Sequence, residues 1–82
     1  MFWQLDKDGN AYRETETVKE RIFLMERYDV CYVSCIVGKD GRTIEKFNTQ
    51  TLESVAGKHN AIEAIRKHAE IFNWLLKERK DK

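Results

Sequence analysis

The sequence predicts an α+β fold, a small antiparallel sheet of about three strands packed by a long C-terminal helix, with a shorter helix near residues 18–27. Three observations carry that expectation. Val30-Cys31-Tyr32-Val33-Ser34-Cys35-Ile36-Val37 is β-branched and apolar at both parities, the pattern of a central strand covered on two sides. Gly38-Lys39-Asp40-Gly41 follows at once, and Asp-Gly is the strongest short-range hairpin signal. From Lys58 to Lys80, Ile62, Ile65, Ala69, Phe72 and Leu76 recur at spacings of 3, 4, 3 and 4, one broad apolar face of a helix.

Taken in order, Phe2-Trp3-Gln4-Leu5 reads as a short strand closed by the turn-rich Asp6-Lys7-Asp8-Gly9-Asn10. Thr17 and Glu20 have capping-box spacing, and Val18, Ile22 and Met25 follow at i, i+4 and i+7. Lys, Glu, Arg, Leu and Met favour helix, which decides for a helix over 18–27. A strand competes for the same stretch, because Val18, Ile22, Leu24, Tyr28 and Val30 share parity. After the hairpin, residues 42–48 return as a polar strand. Thr49-Gln50-Thr51 is then a connection, and Leu52, Val55 and Ala56 a short turn ending at Gly57. The last helix is about 34 Å long, so its end, with Trp74, Leu75 and Leu76, should overhang so small a sheet.

Eighty-two residues make one small domain, 1–82, with a thin core. Hydrophobic residues are 41% and charged residues 35%, too apolar for a disordered chain and too charged for a membrane one. No apolar run approaches the ~20 residues of a membrane-spanning helix, and Met1-Phe2-Trp3-Gln4-Leu5-Asp6 is no secretory leader, so the cytoplasm is the expected location. In an extended stretch Cys31 and Cys35 share one face about 13 Å apart, too far to bond to each other. They read as two buried reduced thiols. Five bases against seven acids in residues 1–29 and seven against four in 58–82 leave an acidic front and a basic back.

Candidate chemistry is thin. Asp6-x-Asp8-x-Asn10 has the first half of a calcium-loop spacing, but the sixth position is Ala11 instead of glycine and the twelfth Thr17 instead of glutamate. Gly57-Lys58-His59 at a helix start lacks the upstream glycine and the following Ser/Thr of a phosphate loop. His59 and His68, nine apart, fall on opposite helix faces and cannot share a metal or a proton relay. Neither Ser34 nor Ser54 sits in a nucleophile elbow. No catalytic residue, cofactor or metal is therefore expected. The reading left is a non-enzymatic interaction protein that regulates, inhibits or adapts a larger protein partner. Self-association, most simply a homodimer, is expected through Ile71, Trp74 and Leu75, with the strand 30–37 as a further surface. The alternative is an RNA- or DNA-binding domain using Lys39, Arg42 and Lys46 on the hairpin with Lys58, Arg66 and Lys67 on the helix.

Overall fold

A computed structural model of the chain describes residues 2–44 and 48–80, with side chains described as far as Trp74. The elements are β1 (Gln4–Leu5), β2 (Ala11–Glu14), β3 (Val18–Leu24), β4 (Asp29–Ile36), β5 (Asn48–Ser54) and α1 (Lys58–Lys80). The five strands form one antiparallel sheet in the order β1-β2-β3-β4-β5. The fold class and the long helix stand as expected, while among the described residues the sheet has five strands instead of about three.

Residues 18–27 are not a helix. Residues 18–24 are β3, and the parity reading is the one the tertiary structure satisfies. Ile22 lies between Ala11 on β2 and Tyr32 on β4, and is fully buried. A lone ten-residue helix is marginal in water. As a strand the same residues satisfy the second edge of β4 and send Ile22 into the core, and pairing overrides propensity.

The return strand is also displaced. Residues 42–44 give one bridge, Val37 with Thr43, and Ile44 N–H donates to Ile36 C=O at 3.0 Å. The long pairing partner of β4 begins at Asn48, so the stretch read as a connection is itself β5. Thr49 and Thr51 are good strand residues, yet β5 is exposed over Asn48–Thr51 and shows no apolar alternation to reveal it.

α1 lies over β2, β3 and β4. Ala61, Ala64, Ile65 and Ala69 face Trp3, Ala11, Ile22 and Val30, and this set is the core. Three alanines on the contact stripe let the helix backbone approach closely. The approach is close where Gly9 meets Ile62: a Cβ on Gly9 would stand 3.1 Å from Ile62 Cγ2. Further along, Trp3 stacks on Phe72 with centroids 5.6 Å apart and meets Tyr32 edge-on at 6.1 Å.

Three of the loops share one design. In Asp6–Asn10, Met25–Asp29 and Gly38–Arg42 the first residue's N–H donates to the fifth residue's C=O, and the fourth N–H to the first C=O. The fourth residue has a left-handed backbone in each: Gly9 (φ 86°), Tyr28 (φ 59°) and Gly41 (φ 82°). The hairpin expected at Gly38–Gly41 is thus present.

Candidate interaction surface

The helix stripe explains which side chains remain outside. At 100° per residue, Ala61, Ala69 and Phe72 lie within about 40° of Ile65, whereas Trp74 lies about 180° away and Ile71 about 120°. Trp74 is 58% exposed and Ile71 44%. The sequence places them at the margin of the buried stripe; in the structure Trp74 is on the opposite side, beside the exposed Lys67 and Glu70. The Leu75 side chain lies outside the described residues.

This end of α1 is fixed to the sheet from beneath. The main-chain N–H of Trp3, just before β1, donates to Asn73 Oδ1 at 2.8 Å, tying the start of the sheet to the residue before Trp74. Arg13 holds its guanidinium 4.8 Å over the Trp3 ring while its Nε and Nη2 donate to Glu20 Oε1. Among the described residues Trp3 Nε1 is the buried side-chain polar atom that finds no acceptor. Nearer the start of α1, His68 Nε2 lies 3.1 Å from Glu53 Oε2, joining the helix to β5. Ile71 and Trp74 therefore flank a point, Asn73, at which the helix is tied to the chain beneath it.

The basic residues are parted by the topology. Lys39 and Arg42 occupy the loop beyond the C-terminal end of β4, and Arg42 Nε lies 3.4 Å from Asp40 Oδ2. Lys58 follows β5, whose Ser54 pairs with Asp29 at the other end of β4. Eight residues of strand, roughly 26 Å, separate the two groups. Arg66 and Lys67 are exposed on α1, and Lys46 lies outside the described residues.

The remaining motifs are placed as follows. Asp6 Oδ1 accepts from Asp8 N–H (2.9 Å) and Asn10 N–H (3.0 Å), and Oδ2 lies 3.3 Å from Arg21 Nη2. The carboxylate that would open a calcium loop is spent on closing its own turn. At the start of α1, Asn60 Nδ2 donates to Ala56 C=O at 2.9 Å, and Lys58 and His59 are exposed. Among the described residues no group of three or more His, Cys, Asp or Glu is placed to hold a metal ion. Cys31 and Cys35 are free and buried on the sheet face away from α1, with Cys31 Sγ 3.7 Å from Thr51 Oγ1. None of the described helix is long and apolar enough to cross a membrane.

Sequence reasoning missed two exposed features. Ile36 (41% exposed) and Ile44 (65%) are joined by their backbones beyond the hairpin loop. Among the described residues no strand pairs with the outer side of β5, an edge that reading 49–51 as a connection conceals. No family model matches the chain, and comparison with curated proteins and with solved structures finds no match.

Proposed function

We propose that the chain is a small non-enzymatic interaction protein that regulates, inhibits or adapts a larger protein partner in the cytoplasm. Its holding surface is the outer flank of α1 at Ile71 and Trp74. One observation carries the reading: a tryptophan 58% exposed, with an isoleucine one turn before it, on a helix end pinned to the sheet through Asn73 and Trp3. A rigid aromatic anchor beside an aliphatic one is the composition of a binding hot spot, and exposure of both in water is unfavourable until a partner covers them. Lys67 and Glu70 beside them provide a polar rim of both signs. The partner is accordingly a protein with an apolar pocket.

The test uses a photo-cross-linking side chain at position 71 in cells, with and without Trp74→Glu. A discrete cross-linked protein is expected, its yield falling at least about tenfold with Trp74→Glu. The unfolding midpoint should be unchanged, since Trp74 is outside the core. Equal yields with and without Trp74→Glu would remove the surface. Affinity for an RNA or DNA duplex that falls steeply with salt would replace this reading with the nucleic-acid alternative.

A further inference from the structure

We infer that β5 is a strand-addition edge whose occupant is β5 of a second copy, paired antiparallel about a two-fold axis at Gln50. The sheet ends at β5, and its two edges differ: β1 offers two residues and β5 seven. The direction of the peptide groups follows from the hydrogen bonds at the end of β4. Val37 N–H donates to Thr17 C=O on the β3 side, and Ile36 C=O accepts from Ile44 N–H on the other side. Alternation along the strand then turns the peptide groups of Tyr32 and Ser34 toward their β5 partners Gln50 and Asn48. Those of Thr49 and Thr51 consequently point away from β4, where no further strand of the described residues lies.

The protections common on sheet edges are missing here. Asn48-Thr49-Gln50-Thr51-Leu52 contains no lysine, no proline and no charge. The one irregularity of β5, where Val30 faces Glu53 and Cys31 faces Thr51, makes Leu52 the extra residue and leaves 48–51 regular. Glu53, the acid of the strand, is engaged with His68 of its own chain.

The same residues name the occupant. An antiparallel pairing of β5 with itself centred on Gln50 sets Thr49 opposite Thr51 twice. Both pairs have outward peptide groups, so four main-chain hydrogen bonds form. Thr–Thr is a favourable cross-strand pair, Gln50 meets Gln50 on the axis, and Asn48 meets Leu52. No like charges oppose. The result is a ten-stranded sheet across two copies, with α1 of each left on its own half and Trp74 untouched.

The experiment is light scattering over a concentration series to about 0.5 mM, the range for a small interface. Twice the chain mass of 9.8 kDa is expected at the top of the series. Thr49→Pro removes an outward N–H and no bond within the chain. It should weaken pairing on the order of 30-fold, the loss of two main-chain hydrogen bonds per dimer. Gln50→Lys sets two lysines face to face on the axis and should weaken it on the order of fivefold. Mixing equal amounts of Gln50→Lys and Gln50→Glu chains should restore the double mass. Monomer throughout the series, or a dimer unaffected by Thr49→Pro, overturns the inference. Loss of the dimer with Trp74→Glu while Thr49→Pro leaves it intact also overturns it, assigning the two-fold seam to α1.

Discussion

Two loops at one end of the sheet are built alike and filled differently. Asp6–Asn10 joins β1 to β2, Met25–Asp29 joins β3 to β4, and both close with the same pair of backbone hydrogen bonds. In the first the left-handed fourth position is Gly9, reinforced by the Asp6 carboxylate on two backbone N–H groups. In the second it is Tyr28, which must hold its Cβ against the preceding backbone, at roughly 1–2 kcal/mol. The difference teaches where a glycine is obligatory. At Gly9 a second constraint joins the backbone one, because a Cβ there would stand 3.1 Å from Ile62 Cγ2 and the isoleucine would have to give by a few tenths of an ångström; at Tyr28 the strain is borne because the pairing of β3 with β4 over seven residues fixes the loop ends.

The largest effect should come from loading both constraints at once. Gly9→Ala combines a left-handed alanine with a Cβ 3.1 Å from Ile62 Cγ2, and should cost about 2–3 kcal/mol. For a domain of this size that lowers the melting temperature on the order of 10–20 °C. In an Ile62→Ala background, which lacks Cγ2, Gly9→Ala should cost less than it does in the unmodified chain only if the contact contributes. A Gly9→Ala chain as stable as the unmodified one would show that the turn is free to move away from α1.

Those loops also decide how much of the fold was legible in the sequence. The helix was legible nearly to the residue, because Ile62, Ile65, Ala69 and Phe72 declare a 3.6-residue period over nearly three turns. The hairpin at Gly38–Gly41 was legible through its glycines. β3 was not, because its closing loop, Met25-Glu26-Arg27-Tyr28, contains helix formers and no glycine, so nothing marked a chain reversal there. β5 was hidden for a different reason: over Asn48–Thr51 it is an exposed run of Asn, Thr and Gln, and a stretch with no buried apolar positions has no period to read. The exposure of Ile71 and Trp74 was legible from their place off the helix stripe. The parting of Lys39 and Arg42 from Lys58 was not, since it follows from β5 running antiparallel to β4.

A smaller effect isolates the backbone contribution. Gly41 has the same left-handed conformation in the third loop, and a Cβ there would meet nothing within 4 Å. Gly41→Ala should therefore cost about 1–1.5 kcal/mol, read from the urea midpoint at constant slope. Its excess over zero is conformational, and the amount by which Gly9→Ala exceeds it is the share of Ile62. Equal costs at the two glycines would mean that packing against α1 adds nothing to the first loop.

The smallest net change is expected at Tyr28, where two substitutions together remove the ambiguity of either alone. Tyr28→Gly relieves the left-handed strain but loosens the unfolded chain and removes a ring that is 41% exposed, so partly covered. Those contributions oppose one another, and the net change should be within about 0.5 kcal/mol of zero. Tyr28→Ala removes the same ring and keeps the strain. The gap between Tyr28→Gly and Tyr28→Ala is then free of the ring, and should match the cost of Gly41→Ala to about 0.5 kcal/mol. Both differences compare alanine with glycine at the fourth position of the same loop design, one reached from tyrosine and one from glycine. Alanine as stable as glycine at position 28 would mean that the Met25–Asp29 loop relaxes out of the shared geometry once the tyrosine is gone. The ring, and not the strand ends, would then be what holds Tyr28 left-handed.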